Sequence, residues 1–205
     1  MKLERLFNTF KNNEFRIINY NDISFMRKLG SGSSAEVWDV NISENEFTSK
    51  ELYPYDDNTP NIDDFEYEIQ NCKKLIGRRG VVQLYGISYK NNDRLFIIFR
   101  KVHCVGDLFS YIRQTCFHNG MKTSLKHKII RSLIKSVANI HSNKMVHCDL
   151  KPENLLFSGG RITIIDLGAS QYMGESKHID GSDKWHRGTP GYMAPELNDK
   201  QIYYE

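Results

Sequence analysis

The chain has 205 residues, of which 40% are hydrophobic and 12% aromatic, and this apolar content is enough to bury a core and excludes wholesale disorder. Its 28 basic and 25 acidic residues nearly balance, so the composition predicts neither a nucleic-acid partner nor an anionic-membrane partner. The length fits one domain or a compact pair of lobes.

Neither a membrane span nor an export signal is predicted. No apolar run reaches the roughly 18 residues of a membrane helix, and charges at Lys2, Glu4 and Arg5 interrupt what would be the apolar part of a signal peptide. The four cysteines are dispersed and form no Cys-x-x-Cys pair, which indicates neither a disulfide framework nor a zinc site. We therefore expect a soluble, cytoplasmic protein, with the nucleus as the alternative compartment.

The first half of the chain is predicted to be rich in strands. Residues 1–20 are basic and rich in Asn, with scattered Leu and Phe, and two alternatives stay open: a short helix against the domain or an irregular end. Extended runs at 23–29 and 37–42 flank a Gly/Ser turn and predict a hairpin. Two more strands are predicted at 81–87 and 95–99, separated by a polar turn.

A helix is predicted over residues 63–76, and it carries a carboxylate on its apolar face. Glu68 lies three residues after Phe65 and four before Cys72, so all three share that face. A carboxylate that faces a core needs a cationic partner, and Lys50 is the candidate. The alternative is that Glu68 lies at the edge of the apolar stripe and reaches water.

The second half begins with a long helix. Apolar residues recur every three or four positions over 124–143, with Ser124 as the expected N-cap and Asn143 as the expected end. Ile130 and Ile134 widen the stripe, as a core-facing helix requires. A hairpin is predicted to follow, with arms at residues 155–157 and 161–165. Strands followed by helices indicate the α+β class.

A glycine-rich loop interrupts the first predicted hairpin. Residues 30–37 read Gly-Ser-Gly-Ser-Ser-Ala-Glu-Val and continue into a β-prone run, whereas a dinucleotide-binding loop would continue into a helix. The loop could cover phosphate groups with its backbone N–H groups, or it could be an ordinary turn.

The densest cluster of chemically capable residues is the stretch His-Cys-Asp-Leu-Lys-Pro-Glu-Asn at 147–154. Asp149 can accept or orient a hydroxyl proton, and Lys151 can neutralise a phosphoryl group. The amide oxygen of Asn154 is a good ligand for a hard cation, and Asp166, at the end of a predicted strand, supplies a second oxygen ligand of the kind that suits Mg²⁺. His147 beside Cys148 could suggest zinc, but no second pair at ligand spacing supports it.

Taken in order, these segments resemble a eukaryotic-type protein kinase of the serine/threonine branch. The match covers about residues 24–200 and includes the loop at 30–37, Lys50, Glu68 and 147–154, together with Asp-Leu-Gly at 166–168 and Gly-Thr-Pro-Gly-Tyr-Met-Ala-Pro-Glu at 188–196. The resemblance implies a bilobal fold with an antiparallel-sheet N-lobe over 23–100, a hinge at about 100–104 and a helical, incomplete C-lobe over 105–205. Residues 1–22 would be an N-terminal extension.

The resemblance also implies ATP as the phosphoryl donor, Mg²⁺ as the cofactor and a protein Ser/Thr hydroxyl as the acceptor. Asp149 would be the catalytic base, Lys151 would stabilise the γ-phosphate, and Asn154 and Asp166 would bind Mg²⁺. Thr189 would support the catalytic loop. The nucleotide would be bound by Gly30, Ser31, Gly32, Ser33, Ala35, Val37, Lys50 and Glu68.

Three departures from the family pattern carry expectations. Ala35 replaces the third loop glycine, and Phe47-Thr48-Ser49 precedes Lys50 where the family has Val-Ala-Ile. Cys148 replaces the Arg that in the family binds an activation-loop phosphate, so we expect that activity does not need phosphorylation there.

Only nine residues follow Glu196, where members of the family continue with several C-lobe helices, and two functions stay open for that reason. The first is an active kinase. The second is a truncated kinase-like decoy, inhibitor or binding partner with little catalysis, because the helices that complete a C-lobe would be missing. In that case the long helix would expose apolar surface, and we expect association with another chain.

Overall fold

The computed structural model describes residues 7, 16–32, 34–54, 61–91, 94–118, 120–173 and 188–195, without the side chains of 116–118. The chain divides into two compact units. The N-terminal unit comprises Met1–Ile76 and Gln83–Val102, and the C-terminal unit comprises Gly77–Val82 and His103–Glu205. Among the described helices, none is long and apolar enough to cross a membrane.

The N-terminal unit is built on a six-stranded sheet with the order β1-β5-β6-β4-β3-β2. The strands are β1 (Arg16–Ile17), β2 (Ile23–Ser31), β3 (Ala35–Ile42), β4 (Asn45–Leu52), β5 (Leu84–Lys90) and β6 (Arg94–Arg100). Only β1 pairs in parallel with its neighbour β5, and the other described neighbours are antiparallel. The predicted hairpin is therefore confirmed as β2–β3.

One face of this sheet carries an apolar cluster formed by β2, β3, β4 and β6. Its buried members are Ile23, Val40, Ile42, Phe47, Phe96 and Ile98. Strand β6 is buried at every position from 95 to 99, which indicates that both faces of this strand are covered.

Helix α1 (Ile62–Lys74) packs against β5 and β6. Asn61 caps its start, since the Asn61 Oδ1 accepts a hydrogen bond from the Asp64 N–H at 3.2 Å. Two aspartates in the first turn and two lysines in the last turn complement the helix dipole. Phe65 and Cys72 are buried, and Glu68 is only 2% exposed, so the predicted apolar face is confirmed together with its carboxylate.

The C-terminal unit contains α2 (Leu108–His118), α3 (Thr123–His141), β7 (Met145–Val146), β8 (Leu155–Ser158), β9 (Arg161–Ile164) and β10 (Gln171–Tyr172). Strands β8 and β9 form the predicted hairpin, and β7 pairs with β10. Helix α3 packs on β9, where the Ser132 Oγ accepts from the Ile162 N–H at 2.8 Å and the Ser136 Oγ donates to the Ile162 carbonyl at 3.3 Å. An α+β architecture is thus present, as predicted.

Close packing of α3 demands a glycine in a neighbouring turn. Gly80 has φ of +78°, and a Cβ at this position would lie 2.0 Å from the Ser136 Oγ. Any side chain here would push the turn at residue 80 away from α3.

Several predicted details are wrong. Residues 81–83 are not part of a strand; Val81 forms an isolated bridge with Ile164, and β5 begins at Leu84. Helix α3 ends at His141, and the left-handed residue after it is Lys144, with φ of +58°, rather than Asn143. Its N-cap is Lys122, which makes no side-chain capping bond, rather than Ser124.

Two residues of α3 do not face the core as expected. Ile130 and Ile134 are 54% and 62% exposed, whereas Ile129 and Ile140 are buried. The stripe that packs on β9 is therefore narrower than the sequence pattern indicates.

Helix α2 was not predicted at all. Its signal in the sequence is Asp107, whose carboxylate accepts hydrogen bonds from the backbone N–H and the hydroxyl of Ser110, both at 2.8 Å. A short polar residue that precedes an apolar run is typical of a helix N-cap.

Candidate active site

The glycine loop connects β2 to β3. Gly30 and Ser31 pair with Val37 and Glu36, the Gly32 N–H donates to the Ala35 carbonyl at 2.9 Å, and Ser33 lies outside the described residues. A Cβ built on Gly30 or Gly32 would meet no described atom within 4 Å. The space beside both glycines is therefore open, which is the condition for a ligand to approach their backbone.

Strand register places Val37 beside Lys50. These residues are direct partners across β3 and β4, and Lys50 pairs on its other side with Ile97 of β6. Lys50 therefore lies in the middle of the sheet, and its side chain is only 13% exposed.

Lys50 and Glu68 form an ion pair within the N-terminal unit. The Lys50 Nζ lies 2.8 Å from both carboxylate oxygens of Glu68 on α1. The Glu68 side chain is 3% exposed, so this bidentate contact is formed away from bulk water, where charge–charge attraction is weakly screened. The partner expected for Glu68 is therefore present, and the alternative that Glu68 reaches water is wrong.

In the C-terminal unit, the loop from 147 to 154 runs from β7 to β8. His147 holds it in place, since the His147 Nδ1 accepts from the Asp149 N–H at 3.2 Å and the Nε2 lies 3.0 Å from the Ile165 carbonyl. The ring therefore carries its proton on Nε2 and donates it to Ile165. Burial lowers the pKa of His147, although the bond to Ile165 and the charge of Asp166 oppose this shift. A neutral imidazole fits both hydrogen bonds. His147 therefore holds the backbone at Asp149 and Ile165 in place, and it is not a metal ligand.

Three side chains bind the carboxylate of Asp149. The Asn154 Nδ2 donates to the Asp149 carbonyl at 2.8 Å and to Oδ2 at 3.0 Å, and the Lys151 Nζ lies 3.0 Å from the same Oδ2. The Thr189 Oγ1 donates to the Asp149 Oδ1 at 2.8 Å and accepts from the Lys151 Nζ at 2.5 Å. These four side chains form one connected network.

The network sets the protonation state of Asp149. Burial by itself would raise the pKa of this carboxyl, but hydrogen bonds from Thr189, Lys151 and Asn154 outweigh burial and lower the pKa below its usual value. Asp149 is therefore ionised at neutral pH, and an ammonium group lies beside it.

Asn154 and Asp166 are brought together by the β8–β9 hairpin. Leu155 pairs with Ile164, and the Ile165 N–H donates to the Asn154 carbonyl at 3.0 Å, so Asp166 follows directly after the residue bonded to Asn154. The Asn154 Nδ2 donates a hydrogen bond to Asp149, so the amide oxygen of Asn154 faces away from Asp149. An amide oxygen and a carboxylate are the ligand types that Mg²⁺ prefers, so this donor set fits that ion.

Asp166 itself adopts a strained backbone, with φ of +62°. This left-handed conformation is uncommon for a residue with a Cβ, and Asp tolerates it better than most. Its presence directly after β9 marks the position as a candidate functional site.

Cys148 is not a reactive thiol. Burial raises its pKa to about 11, and the Cys148 Sγ lies 3.6 Å from the Val146 carbonyl as a weak donor. At neutral pH the position carries no charge of either sign.

The sequence predicts the members of this network as site residues but does not predict the structural role of His147. His147 was considered only as a zinc ligand, whereas the structure shows it bonded to the backbone on both sides of the site. Its signal was positional, because it lies two residues before Asp149, within reach of that residue's N–H.

Comparison with known proteins places the chain in a family. A model of the protein kinase domain matches residues 23–205. The chain is 31% identical, over 95% of its length, to 21% of a Dictyostelium discoideum protein described as a probable serine/threonine-protein kinase. It is 32% identical, over 63% of its length, to 30% of the phosphorylase b kinase gamma catalytic chain, liver/testis isoform, of Mus musculus.

A third relative is the calcium/calmodulin-dependent protein kinase type II of Caenorhabditis elegans, which is 33% identical over 67% of this chain and 18% of its own length. The sheet-based N-terminal unit and the helix-containing C-terminal unit fit the α+β fold of a protein kinase domain. The chain belongs to the protein kinase family. It spans between about a fifth and a third of the length of these three relatives.

Proposed function

We propose that the chain is an ATP-dependent serine/threonine protein kinase. The observation that carries this proposal is the network around Asp149, in which an ionised carboxylate, an ammonium, an amide and a hydroxyl converge on one point. The Dictyostelium discoideum relative is described as a probable serine/threonine-protein kinase, which supports the choice of a Ser/Thr hydroxyl as the acceptor.

In this proposal Asp149 orients the acceptor hydroxyl and takes its proton. Because its pKa is low, the carboxylate is a weak base, so its main contribution is to aim the hydroxyl oxygen, with proton transfer late in the reaction. Lys151 contributes positive charge where the transferred phosphoryl group develops negative charge.

The N-terminal unit would bind the nucleotide. The backbone N–H groups of the glycine loop would contact phosphate oxygens, and Lys50, held by Glu68, would neutralise them. Val37, the cross-strand neighbour of Lys50, would contact the base. Asn154 and Asp166 would hold Mg²⁺, which supplies charge neutralisation on the phosphate oxygens.

The test is phosphorylation of a generic protein acceptor by radiolabelled ATP. We expect the parent chain to incorporate phosphate. Asp149→Asn and Asp166→Ala should each lower the rate of incorporation at least about a hundredfold, on the order of the loss seen when a charge-stabilising group is removed from an active site. Glu153→Gln is the matched control, because Glu153 is an exposed carboxylate of the same loop. Phosphoamino-acid analysis of the product should give phosphoserine or phosphothreonine. Equal signal from all four proteins would refute the enzyme proposal.

A second candidate function is a kinase-like binding module with little catalysis. The observation in its favour is the exposure of Ile130 and Ile134 on α3, since a contact with another chain would bury them. Three results together would favour this candidate. The parent chain would bind MgATP but show no Asp149-dependent incorporation of phosphate. The parent would also self-associate, and Ile130→Ser or Ile134→Ser would make it monomeric.

A further inference from the structure

A phenylalanine that precedes the sheet packs against the helix that carries Glu68. Phe7 is only 5% exposed. Its ring centroid lies 4.3 Å from that of Tyr89 on β5, with the planes inclined at 48°, and 6.4 Å from that of Phe65 on α1, inclined at 36°. Both separations are within the range of aromatic pairing.

The two partners of Phe7 belong to different elements. Phe65 is fully buried on α1, exactly three residues before Glu68 and therefore on the same face of the helix. Tyr89 lies near the end of β5 and remains 40% exposed. The Phe7 ring thus connects the helix to the sheet at a point one turn from Glu68.

We propose that Phe7 is a positioning residue, which fixes α1 against β5 and thereby keeps Glu68 in register with Lys50. The proposal rests on the proposed function only in assuming that this ion pair prepares the nucleotide site. Both Lys50–Glu68 contacts are 2.8 Å long, and a hydrogen bond weakens steeply when its distance or angle departs from this range. A small shift of α1 would therefore cost the contact, and a misplacement on the order of 1 Å can lower turnover about a hundredfold.

Phe7 belongs to residues 1–20, for which the sequence leaves two alternatives open, a short helix against the domain or an irregular end. Phe7 packs on the N-terminal unit through the contacts of its ring with Phe65 and Tyr89. Anything that removes Phe7 from its contacts would loosen the Lys50–Glu68 pair without touching either residue.

The experiment combines two readouts on the full-length chain. The first is the affinity for a fluorescent ATP analogue in the presence of Mg²⁺, and the second is hydrogen exchange of the backbone amides of residues 62–74. We expect Phe7→Ala to weaken nucleotide affinity about tenfold and to speed exchange in α1, while Phe7→Leu, which retains apolar bulk, recovers most of both. The control is Ile76→Ala, since Ile76 is a large apolar residue just beyond α1 that is 54% exposed.

A double-mutant cycle separates positioning from general stability. In a Glu68→Gln background, Phe7→Ala should change nucleotide affinity less than about twofold, because the ion pair through which Phe7 acts is already lost. An equal loss in both backgrounds, or unchanged exchange of residues 62–74 in Phe7→Ala, would overturn the proposal. If Phe7→Ala does not fold, the same comparison is made with Phe7→Val, which removes the ring contacts with Phe65 and Tyr89, and an equal loss of affinity in both backgrounds would be the contrary result.

Failure of this proposal is distinguishable from failure of the proposed function. A parent chain that binds nucleotide but transfers no phosphate refutes the kinase proposal and leaves both readouts intact. If the parent binds no nucleotide, exchange of α1 alone decides whether Phe7 positions the helix.

Discussion

Thr189 donates a hydrogen bond from its Oγ1 to the Asp149 Oδ1 at 2.8 Å, although 40 positions separate the two residues in the chain. The same oxygen accepts from the Lys151 Nζ, so one hydroxyl links a carboxylate and an ammonium that also contact each other at 3.0 Å. The segment at 188–195 is thereby fastened to the loop at 147–154, and Asp149 is aimed by a residue far away in sequence.

Replacing Thr189 tests this link. Thr189→Val retains the shape but removes the hydroxyl, and we expect kcat/KM to fall by roughly 10- to 150-fold, since hydrogen bonds to charged groups contribute about 1.5–3 kcal/mol. Loss of this donor should raise the pKa of Asp149, so the acid limb of the pH–activity profile should move to higher pH. Thr189→Ser, which keeps the hydroxyl, should resemble the parent, and an unshifted acid limb in Thr189→Val would contradict the assignment.

The protonation of His147 should make the free energy of unfolding depend on pH. Burial lowers its pKa in the folded chain below the usual 6.5, so between the folded value and 6.5 the unfolded state binds the extra proton. The free energy of unfolding should therefore fall as pH drops below about 6.5, by at most about 1.4 kcal/mol per pH unit from this group. Denaturant titrations from pH 5 to 8 measure it. His147→Gln should lose that component of the slope, whereas the exposed His141→Gln should keep it.

The Lys50–Glu68 pair should show an asymmetric effect on stability. Lys50→Met takes the ammonium from a carboxylate that is 3% exposed, and we expect a loss of up to about 3–5 kcal/mol in the free energy of unfolding. Lys50→Met combined with Glu68→Leu should recover much of this loss, because no charge is then left buried, while nucleotide affinity stays low. Chemical denaturation of the parent, of Lys50→Met, of Glu68→Leu and of the double variant gives the coupling energy, and simple additivity would be the contrary result.

Activity should not require a phosphate on the segment after Asp166. Cys148 carries no charge at neutral pH, because burial raises its pKa to about 11, so it cannot serve as a cationic receptor. We expect phosphatase treatment, Ser176→Ala and Ser182→Ala each to leave activity within about twofold of the parent, because position 148 offers no cation to bind a phosphate. Loss of activity in either serine variant that Asp restores would refute this expectation. Both serines lie outside the described residues.

Ser170 cannot be used in that test. It is fully buried and its Oγ donates to the His147 carbonyl at 3.3 Å, so Ser170→Asp would place a carboxylate where none can be accommodated without rearrangement. The Ser170 hydroxyl is therefore not accessible to phosphorylation in this fold.

Local sequence determined most of the elements, although not α2, and the identity of the reactive side chains. Two β-prone runs around the Gly/Ser turn were enough to predict the β2–β3 hairpin, and apolar residues three and four positions apart were enough for α1 and α3, because these signals follow from the backbone geometry of one element at a time. Asp149, Lys151, Asn154 and Asp166 stood out because few other constellations place those groups in so short a span.

Tertiary structure alone decided how those groups act. The low pKa of Asp149 depends on Thr189, and the neutrality of His147 depends on its burial, neither of which a local pattern contains. Exposure of Ile130 and Ile134 likewise depends on which face of α3 meets β9. The pairing of Lys50 with Glu68 could be expected from their charges. The packing of Phe7 on α1 could not, because contacts between residues distant in the chain are set by packing and not by spacing.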